Sequence, residues 1–256
     1  MKFMQVRNAT ARIEYGGKRI LIDPVLAEKG AYPAFAGTVN QHLRNPLVDL
    51  PVPVETLLEV DAVIVTHTHL DHWDEAAKNR IPKDIPIFAQ NDKDAAGLKE
   101  AGFTAVTVLT ELTGFAGITL IKTSGQHGSD AAMAKLGDRL GEVCGVVLQH
   151  PDEKTLYLAG DTVWNRHVAD ALQKYAPGVI VLNCGDAQII GIGSIIMGKE
   201  DVYEVYKAAP DATIIATHME AMNHAVLSRK ELRDFLKGNG MIQRVLVPED
   251  GETCEV

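Results

Sequence analysis

Thr66-His67-Thr68-His69-Leu70-Asp71-His72 follows directly on the apolar run Ala62-Val63-Ile64-Val65. That run has the length and β-branched content of a buried strand, so the window lies where a strand gives way to a loop. His67, His69, Asp71 and His72, four side chains able to ligate a metal, stand within six residues of one another there. A sheet behind such an edge can aim several side chains at one point. A solvated loop gains nothing from crowded imidazoles, whereas coordination of a cation uses them. Neutral imidazoles mixed with carboxylate suit zinc, manganese or iron rather than calcium or magnesium, which favour oxygen alone.

Upstream, residues 3–7 and 11–15 alternate as strands do, and Gly16-Gly17 turns the chain into a strand at 18–22 that Asp23-Pro24 ends. Residues 27–53 are irregular, with Pro33, Pro46, Pro51 and Pro53 among Tyr32, Phe35, His42 and Arg44. A loop of that length inside a compact domain is usually functional or poorly ordered, and this one could form a lid from which at least one of Tyr32, Phe35, His42 and Arg44 contacts substrate. Helices are expected at 54–58, 74–79, 92–100, 165–175, 200–209 and 228–237. Strands are expected at 87–89, 105–108, 118–122, 143–149, 155–159, 179–182, 212–216 and 244–247. Residues 129–142, rich in small side chains, read as a flexible loop or a marginal helix. Strands and helices recur in both halves, which makes the class α/β with a layered sheet core.

His127, Asp161 and His218 share the address of the opening window, each just after an apolar strand-like run. Alone, each reads as a loop histidine or a turn aspartate. Ligands from several strand ends on one sheet edge can converge, however, and open α/β sheets place their sites in this way. With the window they supply five imidazoles and two carboxylates. One four-coordinate ion cannot use seven ligands, so convergence of all of them indicates two ions.

His67-x-His69-x-Asp71-His72, followed in order by His127, Asp161 and His218, resembles the ligand set of the metallo-β-lactamase superfamily, and the likeness covers essentially the whole chain. The resemblance implies one domain over residues 1–256, an αβ/βα four-layer sandwich with two mixed sheets flanked by helices. It implies that His67, His69 and His127 hold one metal, that Asp71, His72 and His218 hold a second, and that Asp161 bridges them. A hydroxide shared by two divalent transition-metal ions, zinc or manganese first and iron next, is then the nucleophile. Asp23 resembles the early aspartate that supports the metal loop. Within the superfamily, LIDPVL, THTHLDHWD, AGDT and ATHMEAMNH resemble the ascorbate-6-phosphate lactonase-like hydrolases.

The expected function is hydrolysis of a small ester, lactone or phosphodiester, with Asp71 on its metal or orienting the nucleophile. His224, six residues after His218, is the further catalytic candidate, for substrate contact or proton donation. Cys184 is expected to be a small buried thiol, and Trp73 and Trp164 to pack behind the ligand segments. Alternatives are a nucleic-acid-processing metallohydrolase or a non-catalytic metal-binding module. A formal charge of −9 argues against a nucleic-acid partner, and a glutamate at the place of His69 would be expected of an oxygen-reducing di-iron relative. The composition, 46% hydrophobic and 23% charged, is that of an ordinary soluble globule, in which a homo-oligomer is possible. No apolar run approaches the roughly 20 residues that span a bilayer. Three scattered cysteines do not form a disulfide framework, and the N-terminal sequence lacks an apolar signal core, so cytoplasmic residence is expected.

Overall fold

The computed structural model describes residues 1–256. The first half runs β1 (Lys2–Arg7), β2 (Thr10–Tyr15), β3 (Lys18–Ile22), β4 (Tyr32–Pro33), β5 (Arg44–Asn45), α1 (Val54–Leu57), β6 (Ala62–Val65), α2 (Glu75–Arg80), β7 (Ile87–Ala89), α3 (Asp92–Glu100) and β8 (Val106–Val108). Next come β9 (Thr113–Phe115), β10 (Ile118–Ser124), α4 (Asp130–Leu140), β11 (Cys144–Gln149), β12 (Leu156–Leu158), α5 (Arg166–Tyr175) and β13 (Val179–Asn183). The last elements are β14 (Gln188–Ile189), β15 (Gly193–Ser194), α6 (Lys199–Ala208), β16 (Thr213–Thr217), α7 (Arg229–Gly238), β17 (Val245–Leu246) and β18 (Thr253–Glu255).

Two seven-stranded sheets result, ordered β18-β1-β2-β3-β6-β7-β8 and β17-β16-β13-β12-β11-β10-β9. In each, three antiparallel pairs are followed by three parallel ones. The halves repeat a layout rather than a sequence.

Side-chain alternation on the strands sorts the core into layers. Ile20, Ile22, Ala62 and Ile64 meet Leu120, Val146, Leu148, Val179 and Val181 in an inter-sheet cluster of 20 buried residues. The intervening Leu21, Val63 and Val65 face the other way, against Leu57, Ala77 and Leu98 of α1, α2 and α3. On the second sheet Val147, Ile180, Leu182 and Ile214 turn outward to Val168, Leu172, Val202 and Leu232 of α5, α6 and α7. Period-two patterning thus builds an αβ/βα sandwich of two mixed sheets flanked by helices. Each buried Val, Leu or Ile stabilises by about 1.5–3 kcal/mol, and the inter-sheet cluster holds rigid the edge from which the site projects.

The segment expected as a loop or marginal helix is the 11-residue α4. Ser129 caps it by accepting from Ala132 N, and Ala132 and Leu140 bury against Ile189, Ile195 and Ile196. Its alanines favour a helix, Gly137 weakens it, and tertiary packing holds a length that is marginal alone. The last expected strand shortens to Val245–Leu246, and β9, β18 and the pairs β4–β5 and β14–β15 have too few residues to show periodicity. Residues 27–53 are irregular apart from α1's approach and β4–β5, and they are tied down by Arg7. Its buried guanidinium donates to Val25 O, Ala27 O and Val48 O, each at 2.9 Å. No helix is long and apolar enough to cross a membrane.

Candidate metal centre and substrate pocket

The residues singled out by the sequence follow the C-terminal ends of β6, β10, β12 and β16, and they meet. His67, His69 and His127 each place a donor atom within 4.8 Å of the others, as do Asp71, His72, Asp161 and His218. Asp161 touches both groups. Its Oδ2 lies 3.1 Å from His72 Nε2, 3.7 Å from His127 Nε2 and 4.0 Å from His67 Nε2, and its Oδ1 lies 3.7 Å from His218 Nε2. Six of these seven side chains are buried, and His69 is partly exposed.

Outer partners set the aim of each group. Asp23 accepts from Thr66 N and Thr66 Oγ1, both at 2.7 Å, and from His72 Nδ1 at 2.9 Å, as its resemblance to a supporting aspartate implied. The loop closes on itself through His72 N and Trp73 N, which both donate to His69 O at 2.9 Å. Asp74 then caps α2 by accepting from Ala77 N, and Trp73 is buried against Phe103. Ile195 O accepts from His127 Nδ1 at 2.8 Å, and Asn183 Nδ2 donates to Asp161 Oδ1 at 2.8 Å. Asn8 Nδ2 donates to Asp71 O at 3.0 Å, while its carbonyl accepts from His218 N at 3.0 Å. His218 itself adopts φ 65°, a left-handed conformation that costs a non-glycine residue about 1–3 kcal/mol. Gly185 makes room for it, since a Cβ there would stand 1.9 Å from His218 O.

The charge balance shows what the centre demands. Burial holds the His67 and His127 imidazoles below the ordinary histidine range, against the pull of Asp161. Burial also opposes charge on His72, but Asp161 and Asp23 outweigh it and raise its pKa well above the ordinary value. Burial of Asp161 favours its protonated form, yet His72, His218 and His127 overcome this and hold it well below the carboxylate range. Asp71 is likewise lowered against its burial by His72, His224 and His218. Anionic oxygens surrounded by imidazole nitrogens call for positive charge between them.

Tautomers test whether metal ions fit. Ile195 O and the Asp23 carboxylate only accept, so His127 and His72 carry hydrogen on Nδ1; His127, neutral, turns its Nε2 lone pair inward, and His72 would do the same once a cation takes the place of its Nε2 proton. His72 Nε2 stands 3.3 Å from His218 Nε2, and His67 Nε2 stands 3.1 Å from His69 Nδ1. Facing lone pairs at that separation repel unless a cation or a proton lies among them. The donor set of five imidazoles and two carboxylates fits borderline divalent transition metals.

Beside the donors opens a cavity of about 290 Å³, lined by Phe35, Leu70, Leu140, Ile189 and Ile195 and floored by His69, Asp71, His127 and His224. Phe35, from the segment expected as a lid, has its ring 4.9 Å from the His224 ring. His42 is exposed, and Arg44 braces its own loop by donating to Gly30 O and Ala31 O. Arg139, at the rim, donates to Ala36 O. His224 Nε2 lies 3.6 Å from Asp71 Oδ2, and burial lowers the His224 pKa to about 4. Cys184 is a buried free thiol, as expected.

Residues 18–219 match the family described as Beta-lactamase superfamily domain. The chain belongs to the metallo-β-lactamase superfamily. It is 53% identical over 254 residues to the UPF0173 protein YddR of Bacillus subtilis, covering 99% of each chain. Among solved structures it is similar to the isothiocyanate hydrolase from Delia radicum gut bacteria, with 52% identity, TM-score 0.97 and coverage of 100% of this chain and 99% of that one. It is also similar to a possible metal-dependent hydrolase from Veillonella parvula, with 46% identity, TM-score 0.98 and the same coverage. A metal-dependent hydrolase of Methanocaldococcus jannaschii is 26% identical over 223 residues. This superfamily member is a metal-dependent hydrolase in its broad class.

The sequence did not single out Asn8, Asn183 or Ile195. The first two sit at strand ends beside Asp71, His218 and Asp161, a position that was legible, and Ile195 acts through its backbone.

Proposed function

We propose that this chain hydrolyses a small uncharged electrophile at a binuclear metal centre, with an isothiocyanate, R–N=C=S, as the substrate class and a lactone or ester as the second choice. The pocket carries this reading. Its walls are apolar, it opens beside both donor sets, and its one guanidinium, Arg139, is already bonded to Ala36 O. Away from the donor sets, Arg139 is the one cationic side chain that a phosphodiester would meet. The 52% identity to a protein named isothiocyanate hydrolase supports the first class.

In this assignment His67, His69 and His127 would hold one divalent ion, Asp71, His72 and His218 would hold the other, and Asp161 would serve both. Zinc, manganese and iron all suit these ligands. Ions bound there supply a water acidified towards neutral pH and an electrophilic contact for the substrate heteroatom. Phe35, Leu140, Ile189 and Ile195 seat R and exclude bulk water. Asp71 takes a proton from the attacking water and passes it to His224, neutral at rest with Nε2 3.6 Å from Asp71 Oδ2, and His224 hands that proton on to the substrate nitrogen.

The water oxygen bonds to the central carbon while the C=N π pair moves to nitrogen. Cleavage of the C–N bond, with a second proton on nitrogen, then releases R–NH2 and carbonyl sulfide. The water oxygen leaves in carbonyl sulfide and both its hydrogens leave on the amine. Loaded protein is assayed with benzyl and methyl isothiocyanate and with γ-lactones in parallel. Amine and carbonyl sulfide in equal amounts support the first class, turnover of lactones alone supports the second, and turnover of neither overturns the proposal.

A further inference from the structure

Every polar group of Asn223, the residue before His224, is spent on one segment. Its Oδ1 accepts from Asn45 Nδ2 at 2.8 Å and Phe35 N at 3.2 Å, and its Nδ2 donates to Thr38 Oγ1 at 2.8 Å and Val39 O at 2.6 Å. Its backbone N donates to Asn45 Oδ1 at 2.8 Å, and its carbonyl accepts from Asn40 Nδ2 at 3.0 Å. Asn223 is fully buried, so no water replaces any of these partners. An asparagine side chain offers two donor hydrogens and an oxygen with two lone pairs, and all four are used. These partners are 178 to 188 positions away in sequence. The segment they come from supplies Phe35 and Thr38 to the pocket wall, and Phe35 meets the His224 ring edge-on.

We infer that Asn223 is a positioning residue that clasps residues 35–45 over the pocket and sets the distance between the Phe35 wall and His224, thereby fixing which substrate bodies the site accepts. The inference rests on the pocket as the substrate site. Asn223 reaches neither donor set through its side chain, so its loss leaves the metal ligands in place. Truncation removes a partner from Asn45 Nδ2, Thr38 Oγ1, Phe35 N and Val39 O at once, which loosens the segment. A large apolar R, held by that wall, loses more binding than a small one that does not reach it.

Asn223→Ala and Asn45→Ala break the clasp from opposite sides, and the second lies away from His224. Each is compared with the parent, loaded with metal, by amide hydrogen exchange and by KM and kcat for benzyl and methyl isothiocyanate. Exchange of residues 34–46 is expected to quicken about tenfold or more, with residues 62–74 and the metal content unchanged. The KM for benzyl isothiocyanate rises about tenfold, while kcat for the methyl compound stays within about twofold. Unchanged exchange in both variants overturns the clasp, and an equal loss with both substrates overturns its role in specificity. If the parent turns over neither compound, the proposed substrate class fails and the specificity role, which depends on it, fails with it; the exchange comparison then decides the clasp alone.

Discussion

Asp23 Oδ2 accepts a hydrogen bond from His72 Nδ1 at 2.9 Å across 49 positions of sequence, and the same carboxylate binds Thr66 through N and Oγ1. One side chain thus fixes the start of the loop after β6 and the orientation and tautomer of the His72 ring. Asp23→Ala removes all three. Metal affinity is expected to fall about 10–100-fold, the scale found for such outer partners, as measured by competition with a chromophoric chelator. An unchanged affinity contradicts the role given to Asp23.

Asp161 is the carboxylate within reach of both donor sets. Asp161→Asn keeps the shape and the bond from Asn183 but removes the charge. The expected outcome is a metal content below two per chain and a fall in kcat/KM of about 10²–10³ or more, with the circular dichroism spectrum retained. Full activity in this variant contradicts the bridging role.

His224→Ala separates chemistry from metal binding. The metal content should remain that of the parent, while kcat falls about 10²–10⁴-fold, the range for loss of a proton-transfer group. Parental kcat would return His224 to a packing role against Phe35.

How much of this was legible in the sequence follows from where each residue acts. Residue types able to ligate a metal, placed after apolar runs, made the convergence of His67, His69, Asp71, His72, His127, Asp161 and His218 legible, because the strand ends bring them to one edge. Alternation on β3, β6 and β13 announced the layers. Helix α4 was legible only as one of two readings, a flexible loop or a marginal helix, because Ile189, Ile195 and Ile196, on which Ala132 and Leu140 pack, lie 49 to 64 positions away. The lid's order was illegible for the same reason, as Asn223 and Arg7 act on it from distant segments.

The histidines also predict a pH response of the metal-free chain. Burial lowers His67 and His127 and brings His224 to about 4, whereas an unfolded histidine titrates near 6.5. Between pH 7 and pH 5 the unfolded chain takes up protons at these three sites that the folded chain refuses, so stability falls with pH. His72 has the opposite sign. Its pKa is raised, so its contribution is complete below 6.5 and is lost only as pH rises through the folded value. Three sites outweigh one, and the Tm of the metal-free protein should drop from pH 7 to pH 5 by calorimetry. A flat or rising Tm contradicts the balance.

The most direct test of the account is the location of bound metal by anomalous scattering in crystals of the loaded protein. Two peaks are predicted, one among His67, His69 and His127 and the other among Asp71, His72 and His218, with Asp161 between them. A single peak, or none at these side chains, contradicts a binuclear centre.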